Sequence, residues 1–239
     1  MNTEELDIYN HNLKKCTTQN IYDSFNSLML SNDISLIGKL LHRFQFYEKI
    51  KHLPGDIVEV GVFKGSGMAS WLKFLEIFET NSNRKVIGFD LFNPTSDIID
   101  TYKNGNKLKT VLNRIDHSQL SYDSVDKNLH IINNSNSKYI LIKGDVCETT
   151  KEFVNNNKGF RIALIYMDLD LSEPTYTTLC NLWNNLLPGG IIVFDEYEYH
   201  KFDECDGVDL FLKEFKINYD IVSTHFMSPT AYMIKKQNF

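Results

Sequence analysis

The 239-residue chain has only four cysteines, Cys16, Cys147, Cys180 and Cys205, and they stand far apart with no Cys-x-x-Cys pair. That excludes a disulfide scaffold or a zinc site and points to a reducing compartment. Long hydrophobic runs are missing too. Stretches such as IIVF and ALIYM are strand-sized and cannot span a bilayer, and MNTEELDIYNHNLKK lacks the apolar core of a secretion signal. Basic charge is in deficit: 25 Lys and Arg against 31 Asp and Glu leave a net charge of −6 and a pI near 5.6. A general nucleic-acid or anionic-membrane binder is thereby disfavoured. With five prolines and twelve glycines the chain has no Pro/Gly/Ser-rich linker, and no internal repeat appears. What remains is a cytoplasmic protein with enough apolar content, 42%, for one large buried core.

Two patterns of hydrophobicity divide the chain. From residue 33 to 51, apolar residues recur at Ile37, Leu40, Leu41, Phe44 and Tyr47, a helical stripe; Ser31 or Asp33 can cap it, and Pro54-Gly55 ends it. A shorter helix over 21–30 precedes it. We read 1–54 as an N-terminal helical cap and 55–239 as the main domain. There, five apolar runs end in turn residues: 57–63, 85–90, 139–145, 161–168 and 189–195. Such runs suit strands buried on both faces of a parallel sheet. Helical patterns over 68–78, 149–155 and 175–187 separate them, as right-handed βαβ crossovers require. The segments 219–227 and 230–236, joined at a Ser-Pro turn, read as an antiparallel hairpin. The expected fold is a Rossmann-like α/β domain with a seven-stranded, mostly parallel sheet. The segment 93–138, with one helix near Leu108 to Ile115, is long for a crossover and reads as a lid insertion or, equally, as a surface excursion without a role.

The chemistry-bearing residues fall at strand ends. Glu59-Val-Gly-Val-Phe-Lys-Gly-Ser-Gly67 closes the first strand and opens a helix, where glycines let backbone approach a ligand. Glu59 is a carboxylate inside an apolar strand, a cost that a cationic group such as the amino group of S-adenosylmethionine would offset. Gly61, Gly65 and Ser66 would line the same ligand. Asp90 ends the second strand, where an acid can accept from both ribose hydroxyls. Asp145 ends the third, in position for an adenine amino group or, equally, to cap the next helix. Asp168 and Asp170 end the fourth strand, and Asp195 and Glu196 end the fifth. Carboxyl ends of a parallel sheet gather on one edge, so these four acids should crowd. Like charges at close range raise one another's pKa or require a cation. An all-oxygen set without His or Cys suits magnesium. The plainer alternative is four solvated acids, each capping its own helix. Asp168, Asp195 and Glu196 are the candidate metal ligands and Asp170 the candidate general base.

The motifs GDIVEVGVFKGSG, VIGFDLF, MDLDLSEPT, LLPGGIIVFDEY and GVDLFLKEF, with AYMIKK, resemble the macrocin O-methyltransferase family over about residues 34–236. The resemblance implies bound S-adenosylmethionine and magnesium, and a small-molecule acceptor carrying a sugar hydroxyl. It places the family's first metal aspartate on Asp168, its base on Asp170 and its paired metal acids on Asp195 and Glu196. Three positions depart from the pattern. Glu196 stands for a second aspartate, Ser172 for a tyrosine, and a basic residue near Cys205 is absent. A homo-oligomer is expected. The rival readings are a catechol-type metal methyltransferase, a non-catalytic S-adenosylmethionine-binding protein, and a dehydrogenase using Tyr197 and Lys201. Against the dehydrogenase, Gly61, Gly65 and Gly67 depart from the G-x-G-x-x-G spacing that cradles a pyrophosphate. His200 and His225 read as surface histidines, and Trp71 and Trp183 as core.

Overall fold

In a computed structural model, residues 18–132, 138–217 and 219–236 are described. The chain forms two compact units, Met1–Ile37 and Gly38–Phe239. The described part of the first holds helix α1 (Gln19–Met29), capped by Thr18, whose side chain accepts from the Ile21 N–H. Its apolar side chains Ile21, Tyr22, Phe25 and Met29 are exposed. Helix α2 (Ser35–Ile50) begins after Asp33, whose Oδ1 accepts from the Ser35 N–H at 2.7 Å.

The larger unit alternates strand and helix: β1 (Asp56–Val60), α3 (Ser66–Phe78), β2 (Val86–Asp90), α4 (Ile98–Thr101), α5 (Gly105–Leu112), α6 (Tyr122–Ile132) and β3 (Tyr139–Lys143). Then come α7 (Val146–Asn156), β4 (Ile162–Met167), α8 (Ser172–Leu182), β5 (Leu186–Phe194), α9 (Glu204–Glu214), β6 (Val222–Ser223) and β7 (Ala231–Ile234). The sheet order is β3-β2-β1-β4-β5-β7-β6. The first five strands pair in parallel, and β7 joins β5 antiparallel. This is the seven-stranded architecture expected from the alternating runs. Strand order reverses between β1 and β4, the crevice where open α/β sheets bind ligands.

Both sheet faces are covered. Ile57, Leu164, Tyr166 and Val193 pack with Phe46, Tyr47 and Ile50 of α2, Met68 and Trp71 of α3, and Val125 and Leu129 of α6. Val58, Val60, Ile165, Met167 and Phe194 pack with Leu179 of α8 and Val208 and Phe211 of α9. Each fully buried large apolar side chain contributes about 1.5–3 kcal/mol. The sequence stripe on α2 needs correction. Leu40 and Leu41 are exposed, and the buried face carries Arg43, Phe46, Tyr47 and Ile50. The helical period is right but its phase is rotated, because a cation occupies a position that a hydrophobicity pattern assigns to solvent. The 93–138 insertion is also more regular than expected, with α4, α5 and α6 where one helix was foreseen. The hairpin strand over 219–227 shrinks to two paired residues.

Among the described residues no helix is long and apolar enough to cross a membrane.

Candidate active site

Register explains how the strand tips come together. Glu59 lies beside Tyr166 across β1 and β4, and Tyr166 beside Val193 across β4 and β5. Because side chains alternate, the next positions on that face are Gly61, Asp168 and Asp195. The backbone ladder continues one step past the strands: the Asp168 N–H donates to Val60 O and the Asp195 N–H to Met167 O, both at 2.9 Å. Gly61 sits at φ +89°, and a Cβ there would lie 1.8 Å from the Asp168 carbonyl oxygen. Only glycine permits that approach.

Glu59 is buried. Its Oε2 accepts from Trp71 Nε1 at 2.7 Å, and it packs against Gly67, where a Cβ would meet Oε1 at 2.1 Å. Burial pushes its carboxyl up to about 7, against the opposing field of Arg43. Trp71 is therefore core, as expected, but also the hydrogen-bond partner that a buried acid needs. Gly65 precedes α3 in a left-handed conformation, and Ser66 is the first residue of that helix. Asp90 faces the same loop. Its Oδ2 accepts from the Val62 and Phe63 N–H groups at 2.8 and 2.9 Å, and its Oδ1 from Phe92 N–H at 2.7 Å. Burial raises its carboxyl even so. Asp145 caps α7 through the Cys147 N–H at 2.9 Å, while its Oδ2 accepts from the Tyr102 hydroxyl at 2.8 Å.

At the tips of β4 and β5 the acids crowd. Asp168 is raised well above the usual carboxylate range by burial, then by the charges of Asp195 and Asp170, with Lys39 opposing. Asp170, at φ +64°, lies within hydrogen-bonding reach of Glu196. Burial and that neighbour push Glu196 up to about 11, and its Oε2 is buried with no hydrogen-bond partner among the described residues. Asp195 is held by three donors: Lys39 Nζ reaches Oδ2 at 2.9 Å, the Ser228 hydroxyl shares that oxygen, and the Tyr166 hydroxyl meets Oδ1. Among the described residues, no group of three or more His, Cys, Asp or Glu side chains is arranged to hold a metal ion.

Several site residues escaped the sequence reading. Glu204, fully buried in the first turn of α9, accepts from the Leu169 and Glu196 N–H groups, both at 3.3 Å, and so ties the two acidic loops together. Asp203 accepts from Ser172 N–H at 3.1 Å and from Asn104 Nδ2 of the insertion at 2.8 Å. Their signal was an acidic pair opening a helix, a pattern that ordinarily means only capping. Lys39 and Arg43 were hidden as the polar positions of an amphipathic helix. His200 and His225 are exposed, as read.

Against this geometry, a profile of the macrocin-O-methyltransferase (TylF) family matches residues 39–228. The chain belongs to that family. The resemblance carried by the motifs is thus borne out, and the glycine loop and all four strand-tip acids lie inside the matched span. Among relatives of this macrocin-O-methyltransferase family member, demethyldecarbamoylnovobiocin O-methyltransferase from Streptomyces niveus is 24% identical over 173 residues. That match covers 72% of this chain and 63% of the relative, so it spans less than two thirds of that enzyme. Among solved structures, CalS11, a calicheamicin methyltransferase, superposes with a TM-score of 0.69 at 22% identity, covering 97% of this chain and 90% of that one. Its apo form is described as a TDP-rhamnose 3'-O-methyltransferase. An O-methyltransferase from Bacillus cereus in complex with SAH has a TM-score of 0.55 at 12% identity, covering 97% of both chains. These likenesses establish the fold.

Proposed function

We propose that the protein is an S-adenosylmethionine-dependent O-methyltransferase that acts on a hydroxyl of a sugar, free or carried on a nucleotide or glycosylated metabolite. The observation that carries this reading is the clustering of Asp168, Asp170, Asp195 and Glu196 on the sheet edge, beside the Gly61–Gly67 loop, within the family's matched span. The methyltransferase relatives support the reaction, and CalS11, described as a TDP-rhamnose 3'-O-methyltransferase, supports a sugar-bearing acceptor.

Glu59, Gly61, Gly65, Ser66, Asp90 and Asp145 are the residues we assign to the cofactor. Asp90 holds the loop's backbone in place, and Asp145 meets Tyr102 of the insertion, so in this reading 93–138 serves as a lid. A divalent ion, magnesium by donor chemistry, fits the acids: the set is all oxygen, and Glu196 Oε2 is a buried acceptor with no donor among the described residues. Asp168, Asp195 and Glu196 would hold it. When bound, it would neutralise part of their charge and acidify the acceptor hydroxyl. Asp170 is the general base in this scheme: its carboxylate, partly exposed and next to Glu196, takes the hydroxyl proton as the oxygen approaches the methyl group. Glu204 keeps the two acidic loops in register, and Lys39 restrains Asp195. We further assign 1–54 as a helical cap and 55–239 as the methyltransferase domain. The protein would work in the cytoplasm as a homo-oligomer, to which the exposed apolar side chains of α1 lend support.

The test is methyl transfer from S-adenosylmethionine to nucleotide sugars and to catechol, with magnesium or with EDTA, in wild type and Asp170→Asn. Asparagine tolerates the left-handed backbone at position 170, so the variant should fold. We expect turnover on a sugar acceptor, lost on chelation, and a fall of about 10²–10⁴-fold in kcat for Asp170→Asn. Preference for catechol would move the reading to the catechol-type enzyme. Cofactor binding with no turnover on any acceptor would leave only a binding protein.

A further inference from the structure

Two arginines of this chain are buried to the same degree and treated in opposite ways. Arg84 is 7% exposed, and its guanidinium is fully employed: it donates to Gly55 O and Leu53 O at 2.7 Å and pairs with Glu79 at 3.2 Å. Arg43 is also 7% exposed, but among the described residues it donates no hydrogen bond, and its Nε is buried with no partner. Its guanidinium stacks 4.5 Å from the centre of the Tyr166 ring and 6.0 Å from that of Trp71. Ring stacking offsets part of the desolvation of a buried cation. It leaves the buried Nε–H, which lies in the guanidinium plane, without an acceptor among the described residues.

The setting of Arg43 indicates what is missing. It lies in the fields of Glu59, Asp195 and Asp168, yet pairs directly with none of them. Lys39, one turn earlier on the same helix, does have a direct partner in Asp195. Arg43 and Glu59 are thus opposite buried charges near enough to feel each other but not joined: Glu59 accepts from the Trp71 Nε1–H, and the Arg43 guanidinium lies 6.0 Å from the centre of the same ring. A ligand that completes both must carry a cation and an anion a few bonds apart. A planar fork of donors in an aromatic setting selects a carboxylate over a single acceptor atom.

Building on the S-adenosylmethionine reading above, we infer that Arg43 binds the α-carboxylate of the cofactor's amino-acid end, and that with Glu59 it reads the zwitterion. This assigns a binding function to a side chain of α2, outside the glycine loop. It also accounts for a cation on the helix face that apolar residues otherwise occupy.

The experiment is calorimetric titration of the full chain with S-adenosylhomocysteine and with its decarboxylated analogue, which keeps the adenosine and the amine but lacks the carboxylate. Wild type should prefer S-adenosylhomocysteine by about 10- to 100-fold, the range of a charge-assisted hydrogen-bond pair. Arg43→Met should bring S-adenosylhomocysteine down to the analogue's affinity and leave the analogue within about twofold; Arg43→Lys should keep part of the preference. Equal binding of the two ligands by wild type, or equal weakening of both by Arg43→Met, overturns the assignment while leaving the cofactor reading standing. Failure of wild type to bind S-adenosylhomocysteine overturns both. Should Arg43→Met not fold, the wild-type preference and the Arg43→Lys variant still decide.

Discussion

Trp71 shows how one side chain serves both core and site. Its ring is fully buried among apolar neighbours, and its Nε1 donates to Glu59. In Trp71→Phe the packing largely survives, but the carboxylate loses its donor. A buried acceptor left unsatisfied costs about 1–3 kcal/mol, more when it is charged. Since Glu59 titrates near 7, the loss should be larger at pH 8 than at pH 5.5, where the carboxyl is protonated. Urea denaturation at both pH values checks this; an equal loss at both would mean that the hydrogen bond is not what Trp71 supplies. The hydropathy of the sequence identified Trp71 as core and Glu59 as an anomaly needing a partner. That the one answers the other requires the third dimension, since the two are on different elements.

At the scale of elements, the acids after β2, β3, β4 and β5 could be located because parallel strands must end on a common edge. Their partners could not be. Asp145 accepts from its own helix and from Tyr102, 43 residues away in the insertion. Asp145→Ala should therefore cost about 1–2 kcal/mol through the lost cap and, through Tyr102, speed amide hydrogen exchange across α4 and α5 as well as the first turn of α7. Asp145→Asn retains a capping oxygen and should recover most of the stability. Exchange confined to α7 would show that the Tyr102 contact does not hold the insertion. The phase error on α2 has a related cause. Amphipathicity counts apolar residues, whereas this helix buries an arginine and turns two leucines outward, and a pattern of hydrophobicity has no term for a stacked cation.

For the molecule as a whole, raised carboxyl groups make stability depend on pH. Glu59 moves from an ordinary carboxyl value of 4.5 up to about 7 on folding. Between those values the folded chain binds more protons than the unfolded one, so stability must fall as pH rises through that window. The net charge of −6 adds self-repulsion in the same direction. We expect the ligand-free protein to have a higher Tm at pH 5.5 than at pH 8, and Glu59→Gln to flatten the dependence; a Tm that rises with pH would contradict it. Architecture at this scale was the most legible level, because strand and helix periods and turn residues recur many times along the chain.

Asp195 carries one more implication, about time. Its three donors come from Lys39, 156 residues upstream, from Tyr166, 29 upstream, and from Ser228, 33 downstream. During synthesis the sheet through β5 can form while the last of these donors is still inside the ribosome. Maturation of the acidic centre then follows formation of the five parallel strands, and a nascent chain stopped short of Ser228 would carry those strands with an unfinished centre.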